Sequence, residues 1–391
     1  QDDAPVVRLV NSLIARAVDE RASDIHFEPQ AKEMGVRYRV DGVLRTVTAV
    51  PFRLANGVAS RIKIMADLDI AERRVPQDGR VGLTVGGRPL DLRVASLPTV
   101  YGEKIVIRVL DKSNVLLRLD DLGFAKDVLA RFESCYRRPY GAVLVTGPTG
   151  SGKSTTLYGA LNQLNSSEKN IITVEDPVEY RLSGINQVQV NPKAGLTFAA
   201  GLRSILRCDP DIVMIGEIRD RETAQIAVES ALTGHLVLAT IHTNDSAGAL
   251  TRLTEMGVEP FLSASAVVGI LAQRLARRLC GHCRQRVAVP HAALRELADV
   301  AALPPGVPDP APVYRAVGCP RCQDTGYRGR VGVYEMLVMS EALERLAVEG
   351  ASSEEIGRQA RREGMRTLRE DGLLKVLSGQ TTLEELARAV G

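Results

Sequence analysis

The segment with the clearest chemistry is a glycine-rich loop that can hold phosphate groups. It reads Gly147-Pro-Thr-Gly-Ser-Gly-Lys-Ser154 and fits the pattern G-x-x-x-x-G-K-[ST]. Glycines in such a loop let backbone N–H groups curl around phosphate oxygens, while Lys153 can reach the β- and γ-phosphates and the Ser154 hydroxyl can ligate Mg²⁺. The predicted phosphate-binding residues are Gly147, Pro148, Thr149, Gly150, Ser151, Gly152, Lys153, Ser154 and Thr155.

Two glutamates and two histidines lie beside short apolar runs further along the chain. Glu175, Glu217 and His242 each follow such a run, and His235 precedes the last of them. Because the carboxyl ends of parallel strands meet at one sheet edge, we expect the first three to lie beside the phosphate loop. Glu217 could activate the attacking water or hold Mg²⁺ through water, and His242 could sense the γ-phosphate. Any one of them alone could be an ordinary polar residue at a strand end.

Four of the six cysteines form two C-x-x-C pairs, Cys280 with Cys283 and Cys319 with Cys322. Two such pairs are typical of a tetrahedral structural zinc site. The alternatives are disulfides, which a reducing compartment disfavours, or unligated thiols. The 35 residues between the pairs hold five prolines from position 304 to 312, so we expect a loop-bearing insertion there rather than a second core.

The elements that must position these groups follow from the apolar patterning. Residues 1–110 combine one helical stripe with alternating, strand-like stretches, which predicts an α+β domain. From 137 to 278, continuously apolar runs alternate with helical patterns, which predicts a mostly parallel, doubly wound sheet. A strand and four amphipathic helices that suit a small bundle follow. The predicted divisions are 1–110, a linker at 111–136, a nucleotide-binding domain at 137–278, a cysteine subdomain at 279–325 and a helical region at 326–391.

Composition limits the remaining function classes. Fifty basic and 47 acidic residues give a net charge of +3, which argues neither for nor against a polyanionic partner. The absence of Trp and an aromatic content of 4% weaken a reading as a single-strand nucleic-acid binder, which needs stacking platforms. No charge-free apolar run approaches the ~18–20 residues of a membrane span, and no signal peptide pattern is present, so we expect a cytosolic chain. Because it begins at Gln1, we expect its natural N-terminus to lie upstream.

Taken jointly, these motifs resemble the secretion-superfamily ATPases that drive type II secretion and type IV pilus assembly. The resemblance implies an α/β fold, with a RecA-like ATPase domain preceded by a PAS-like α+β domain, a four-cysteine zinc insertion and a C-terminal helical region. It covers nearly the whole chain. The matching segments are 21–26, 74–80, the phosphate loop, 175–179, 216–220, 233–243, 271–275 and the four cysteines.

The resemblance also implies roles for individual residues. Glu217 matches the acid that activates water, and Arg93 and Arg108 match arginines that reach the γ-phosphate when the domains close. From spacing alone these arginines would be ordinary solvated charges on a strand face, and Arg80 is a weaker candidate. A charge supplied in this way can change turnover by ~10³–10⁵. The other residues assigned to the site are Lys153, Glu175 and His242 as catalytic groups and His235 as a nucleotide contact.

The implied cofactors are Mg-ATP and zinc, and the implied assembly is a homo-hexamer. Expected partners are an inner-membrane platform protein and other cytoplasmic-face assembly proteins, with acidic phospholipid as a candidate and no nucleic acid. This would place the chain in the cytoplasm, peripheral to the inner face of the cytoplasmic membrane. The cysteine insertion favours the assembly or secretion branch over pilus retraction. Two rivals stay open, a RecA-like nucleic-acid motor and a non-hydrolysing nucleotide-bound scaffold.

Overall fold

The computed structural model describes residues 5–111 and 118–391, and the chain divides into two compact units, Gln1–Val115 and Leu116–Gly391. Residues 1–4 of the predicted first domain and residues 112–117 of the predicted linker lie outside the described residues. The described part of that linker belongs to the second unit and holds helix α3 (Lys126–Tyr136), which packs on the second unit's sheet.

In the first unit, the described residues form two helices and one antiparallel sheet of six strands. Apolar residues of both helices pack on one face of the sheet, as Val10 and Val58 do, whereas the other face is charged. This division follows from alternation along each strand, since Ile25 and Phe27 point into the core and alternate with the polar residues Asp24, His26 and Glu28. The sheet order is β3-β2-β1-β6-β5-β4. The elements are α1 (Pro5–Asp19), β1 (Ala22–Pro29), β2 (Glu33–Val40), β3 (Val43–Pro51), α2 (Phe52–Met65), β4 (Gln77–Val85), β5 (Arg88–Thr99) and β6 (Gly102–Asp111).

The second unit is built on a seven-stranded sheet within the described residues, in the order β15-β12-β7-β11-β10-β8-β9. All neighbouring strands are parallel except β12 and β15, which pair antiparallel at one edge. The central strands are buried on both faces, which explains their continuous apolar runs. The strands are β7 (Gly141–Thr146), β8 (Ile171–Glu175), β9 (Asn186–Gln189), β10 (Ile212–Ile215), β11 (Leu236–Ile241), β12 (Val267–Leu279) and β15 (Tyr327–Val338).

Helices cover both faces of this sheet. Side chains such as Leu202, Val228 and Leu250 pack with the buried strands into one large apolar core. The helices are α3 (Lys126–Tyr136), α4 (Lys153–Leu164), α5 (Phe198–Ile205), α6 (Arg221–Leu232), α7 (Ser246–Glu255) and α8 (Pro260–Ala266), with 3₁₀ turns at Leu119–Leu122, Pro192–Ala194 and Pro320–Cys322.

The segment between the two cysteine pairs has more structure than we expected. It contains the hairpin of β13 (Gln285–Val289) and β14 (Ala311–Arg315) and the helix α9 (His291–Ala298). Leu294 and Val313 are buried there in a small apolar core shared with the C-terminal helices. The expectation of a loop-bearing insertion without a core was therefore wrong, because four of the five prolines lie in the connection between α9 and β14 and the fifth, Pro312, is accommodated within the hairpin strand β14.

The four predicted C-terminal helices are present, but they do not form one bundle. They are α10 (Glu341–Val348), α11 (Ser353–Arg362), α12 (Leu368–Leu377) and α13 (Leu383–Val390). Leu343 and Ile356 of the first two helices enter the large core of the sheet, whereas Leu373 and Leu386 of the last two pack with the cysteine segment. A shared amphipathic pattern gives each helix an apolar face without specifying what covers it. None of the helices in residues 5–111 and 118–391 is long and apolar enough to cross a bilayer.

Candidate nucleotide site and cysteine cluster

The phosphate loop connects the end of β7 to the start of α4. Gly147, Gly150 and Gly152 have φ values of 146°, 80° and 87°, a region that side chains with a Cβ atom rarely adopt. At Gly147 a Cβ would also lie 2.5 Å from the carbonyl oxygen of Gln273 on β12. The glycine spacing is thus required by backbone conformation and by close packing against β12.

Lys153 is a buried cation at the first position of α4. Its Nζ donates to the carbonyl oxygens of Gly147 at 2.8 Å and Pro148 at 3.0 Å. Burial lowers the pKa of Lys153 to about 8, an effect that the nearby Glu217 carboxylate opposes and the Arg274 guanidinium increases. Ser154, one residue further, is exposed, so its hydroxyl is accessible to a ligand.

Glu217 and His242 meet beside this loop. Glu217 Oε1 lies 2.6 Å from His242 Nε2, and His242 Nδ1 lies 3.1 Å from the Gly147 carbonyl oxygen and 3.4 Å from Lys153 Nζ. The second carboxylate oxygen of Glu217 pairs with Arg219. Glu217 follows β10 and His242 follows β11, so the carboxyl ends of neighbouring parallel strands place these groups next to the phosphate loop.

Glu175, at the end of β8, has a different environment. It is buried, and its carboxylate accepts hydrogen bonds from the Tyr158 hydroxyl, from Thr173 Oγ1 at 2.6 Å and from Gln187 Nε2 at 3.0 Å. Burial, together with the Glu175 charge, raises the pKa of Tyr158. Within the described residues, its hydrogen bonds link α4, β8 and β9 and do not reach the phosphate loop.

His235 lies at the other end of β11 from His242. Its Nδ1 is 3.0 Å from the carbonyl oxygen of Ser230, in the last turn of α6. The six residues Leu236–Ile241 separate the two histidines, which at ~3.3 Å per residue places them roughly 20 Å apart. The structure therefore does not place His235 beside the phosphate loop of its own chain.

The arginines predicted from the first unit lie side by side on the charged face of its sheet. Arg80, Arg93 and Arg108 are register partners on β4, β5 and β6. Arg108 Nε donates to Asp24 Oδ1 at 3.1 Å, and more than half of its side chain is exposed. Asp24 was not predicted as a site residue, although it lies in the matching segment 21–26.

Two further residues beside the phosphate loop were also missed by sequence reasoning. Gln273 and Arg274 lie on β12 and contact the loop from the side opposite Glu217's strand. The segment 271–275 had matched the family pattern, but nothing in its local sequence indicated which side chains would face the loop.

The four cysteines of the two pairs form one cluster. All four sulfurs lie within 4.8 Å of one another, and the shorter Sγ–Sγ distances are 3.7 Å for Cys319 to Cys322, 3.8 Å for Cys283 to Cys322 and 3.9 Å for Cys280 to Cys319. A disulfide would need about 2.05 Å, whereas a tetrahedron with Zn–S bonds of about 2.3 Å has sulfurs about 3.8 Å apart. Donation from the Gly326 N–H to the Cys322 sulfur also suits a thiolate. The cluster is arranged to hold a metal ion.

Residues 1–388 match the protein family described as type II/IV secretion system protein. The chain belongs to this family. It is 55% identical over 388 residues to the type II secretion system protein HxcR of Pseudomonas aeruginosa, covering 99% of this chain and 78% of that protein. It is 54% identical over 387 residues to the type IV pilus assembly ATPase PilB of Myxococcus xanthus, covering 98% and 68%. The protein is therefore an ATPase of the kind that powers secretion or pilus assembly.

Solved structures agree with the fold of this secretion-family ATPase. The Legionella pneumophila ATPase DotB superposes with a TM-score of 0.70 at 19% identity, covering 99% of this chain and 96% of DotB. The pilus retraction motor PilT with bound ADP superposes with a TM-score of 0.64 at 25% identity, covering 96% and 95%. The predicted fold class is confirmed.

Proposed function

We propose that this secretion-family ATPase binds Mg-ATP on its phosphate loop and hydrolyses it with Glu217 as the general base. One observation carries the proposal: Glu217, His242 and Lys153 converge on Gly147, with Glu217 Oε1 2.6 Å from His242 Nε2. A carboxylate at this sheet edge can accept the proton of an attacking water, and His242 can hold it in a fixed orientation.

Other residues would bind and neutralise the phosphates. Lys153 would exchange its two carbonyl partners for phosphate oxygens. The exposed Ser154 hydroxyl would ligate Mg²⁺, and the ion, when bound, supplies positive charge to the β- and γ-phosphates. By family resemblance, Arg93 and Arg108 would add charge at the transferred phosphoryl group when the domains close.

The two remaining predicted residues have weaker support as direct ligands. Glu175 is held by three donors, which favours a role in fixing α4 through Tyr158 rather than contact with nucleotide. His235, roughly 20 Å from His242 along β11, would need a different partner from the phosphates of its own chain. We retain Glu175 as a supporting residue and place His235 last among the candidates.

We propose zinc as the metal of the cysteine cluster, since four cysteine sulfurs at tetrahedral spacing suit this ion better than oxygen-preferring cations. The site would be structural, because four thiolates leave no open position for chemistry. The predicted divisions at 1–110, 111–136, 137–278, 279–325 and 326–391 stay predictions.

At the level of assembly, we propose a homo-hexamer that works in the cytoplasm at the inner face of the cytoplasmic membrane. It would act on an inner-membrane platform protein with other assembly proteins, and acidic phospholipid is a candidate activator. Support comes from the relatives, which are named for both type II secretion and type IV pilus assembly. Their nearly equal identities favour neither system. Mass photometry of the purified chain with and without ATP tests the hexamer directly.

The proposed chemistry is tested by measuring phosphate release and ATP binding on the same preparations. We expect Glu217→Gln to bind ATP within about threefold of the wild type and to lose at least about 100-fold in turnover, since it removes a proton acceptor without altering shape. Glu229→Gln, an exposed glutamate on α6, is the matched control and should behave as wild type. A fully active Glu217→Gln would reject Glu217 as the base. Failure of the wild type to turn over ATP, even with acidic vesicles, would reject the claim that this chain alone is a working enzyme.

A further inference from the structure

We infer that Gln273 and Arg274, adjacent on β12, are positioning residues of the nucleotide site, Gln273 for the phosphate loop and Arg274 for the loop after His242. The inference rests on the proposed ATP site and assigns side chains that the proposed reaction does not use.

Gln273 holds the phosphate loop with both ends of its side-chain amide. Its Nε2 donates to the Ser151 carbonyl oxygen at 2.6 Å, and its Oε1 accepts from Thr156 Oγ1 at 2.8 Å. Gln273 is 2% exposed and Thr156 1%, so neither bond competes with water. A buried amide with both groups satisfied fixes its partners relative to each other. Here the partners are the middle of the phosphate loop and the first turn of α4.

The Gln273 backbone also contacts the loop directly. Its carbonyl oxygen would lie 2.5 Å from a Cβ at Gly147, so the start of the loop packs closely on β12. The Gly147 carbonyl oxygen in turn accepts from Lys153 and lies 3.1 Å from His242 Nδ1. A displacement of β12 relative to the loop would therefore move the groups that hold the phosphates.

Arg274 connects the same strand to the loop that follows His242. Its guanidinium donates from one terminal nitrogen to the Gln273 carbonyl oxygen at 3.1 Å and from the other to the Asn244 carbonyl oxygen at 2.7 Å. Asn244 is two residues beyond His242. A planar guanidinium can make these two bonds in fixed geometry, which a lysine ammonium cannot reproduce.

The charge of Arg274 supports the same assignment. Burial lowers the pKa of Arg274, and its charge also lowers the pKa of Lys153, while the Glu335 and Asp245 carboxylates favour the Arg274 cation. Two cations in one half-buried site repel each other, and a bound anion would relieve the repulsion. The arrangement therefore suits a site that is completed by phosphate.

The first experiment measures ATP affinity of the full chain by fluorescence titration with a labelled nucleotide. Gln273→Met removes both hydrogen bonds of the side-chain amide and should weaken ATP binding about 10- to 100-fold. Thr156→Val removes one of these hydrogen bonds and should weaken ATP binding about 2- to 10-fold. If Gln273 is the link, Thr156→Val should have no further effect in the Gln273→Met background. Gln225→Met, at an exposed glutamine on α6, is the control and should bind as wild type.

A second glutamine variant separates positioning from general damage. Gln273→Glu keeps the acceptor for Thr156 but replaces the donor with an oxygen that faces the Ser151 carbonyl. We expect it to bind ATP as poorly as Gln273→Met, with the cysteine cluster still able to take up metal. Wild-type affinity in Gln273→Glu, or independent effects of Gln273→Met and Thr156→Val, would overturn the role of Gln273.

The arginine is tested by separating affinity from turnover. Arg274→Lys keeps the charge but loses the pair of hydrogen bonds to the carbonyl oxygens of Gln273 and Asn244. We therefore expect ATP affinity within about threefold of wild type and a kcat at least tenfold lower. Arg274→Met should lower both ATP affinity and kcat. An Arg274→Lys variant with wild-type kcat would show that only charge matters and would reject the positioning role.

These outcomes are distinct from failure of the proposed function. If wild type binds ATP and Lys153→Ala does not, the nucleotide site stands, and wild-type behaviour of the Gln273 and Arg274 variants would then reject the inference alone. If the wild type itself does not bind ATP, both the function and the inference fall.

Discussion

At the scale of single residues, Lys153 places a buried positive charge in the nucleotide site. It is an 8% exposed lysine that contacts two backbone carbonyl oxygens and His242 Nδ1, with Glu217 as the nearby acid that favours its charge. Burial therefore lowers its pKa to about 8. Phosphate oxygens would supply the missing negative charge and stabilise the protonated form, so binding of ATP and protonation of Lys153 favour each other.

This coupling predicts how ATP affinity depends on pH. Below about pH 8 Lys153 is already protonated, so affinity should be nearly constant. Above that value ATP must bind together with a proton, and affinity should fall by up to about tenfold per pH unit. Titration of ATP between pH 7 and 9.5 measures the effect, and calorimetry in buffers of different ionisation enthalpy should detect proton uptake.

Lys153→Arg is the matched control, because arginine keeps its charge throughout this range. Its affinity, although weaker overall, should change less than that of the wild type between pH 8 and 9.5. Equal slopes for the two proteins would show that another group controls the pH dependence.

At the scale of elements, the phosphate loop depends on how closely β12 approaches it. Gly147 and Gly150 both have positive φ, but only Gly147 is packed against another strand. A Cβ at Gly147 would meet the Gln273 carbonyl oxygen at 2.5 Å and the Ser151 hydroxyl at 2.7 Å, whereas a Cβ at Gly150 would have no atom within 4 Å.

The two glycines should therefore respond differently to alanine. Gly150→Ala adds only the strain of a positive φ, about 1–2 kcal/mol, and should keep measurable ATP binding. Gly147→Ala adds a clash with backbone that cannot move without displacing β12, and should abolish binding at millimolar ATP. Comparable losses in the two variants would contradict the packing argument. Affinity measured alongside a thermal denaturation curve distinguishes loss of the site from loss of the fold.

The start of α7 is held by an acid from the sheet edge. Glu335 on β15 is buried and accepts hydrogen bonds from the backbone N–H and hydroxyl of Ser246, the first residue of α7, and from the N–H of Leu368 at the start of α12. Burial raises the pKa of Glu335, and these three donors oppose that effect. One carboxylate thus joins the helix after the His242 loop to a C-terminal helix.

Glu335→Ala should destabilise the protein, because it leaves two buried N–H groups without an acceptor. We expect a loss of about 1–3 kcal/mol per unsatisfied group, measured as a lower denaturation midpoint. Glu349→Ala, at an exposed glutamate just after α10, should change stability by no more than about 0.5 kcal/mol. A Glu335→Ala variant as stable as the control would mean that α7 and α12 are held by their apolar contacts alone.

At the scale of the whole molecule, the cysteine cluster closes the end of the β12–β15 ladder. Cys280 directly follows β12, and Cys322 lies five residues before Tyr327, the register partner of Leu279. The segment between the pairs shares a small apolar core with α12 and α13. A metal at this cluster would fix both the ladder and that core. The cluster is far along the chain from the phosphate loop, but it adjoins β12, the strand that contains Gln273.

Removal of the metal should therefore lower the stability of the fold before it lowers ATP turnover. We expect the double change Cys280→Ser/Cys283→Ser to lose bound zinc, about one ion per chain, and to lower the denaturation midpoint by at least about 5 °C. Cys208→Ser, an exposed cysteine outside the cluster, should keep both. Metal content by mass spectrometry and a thermal melt are the measurements. Unchanged zinc in the double variant would mean that these thiols are not its ligands.

Much of the fold and part of the site could be predicted because their signals are local. Continuous apolar runs predicted a mostly parallel sheet between residues 137 and 278, which is where the buried strands β7, β8, β10 and β11 lie. The glycine spacing of the phosphate loop and the two C-x-x-C pairs are likewise complete within a few residues each. Strand direction alone placed Glu217 and His242 on the edge where the loop opens.

The sequence by itself therefore determined the buried parallel strands, the phosphate loop and which strand ends hold chemical groups, because backbone conformation, helix starts and strand burial depend on neighbours in the chain. Only the tertiary structure decided what lies across from them. The pairing of β12 with β15, the approach of Gln273 and Arg274 to the phosphate loop, and the split of the C-terminal helices between two cores all join distant segments. An amphipathic or apolar pattern says that a face must be covered, but packing between distant elements selects the partner.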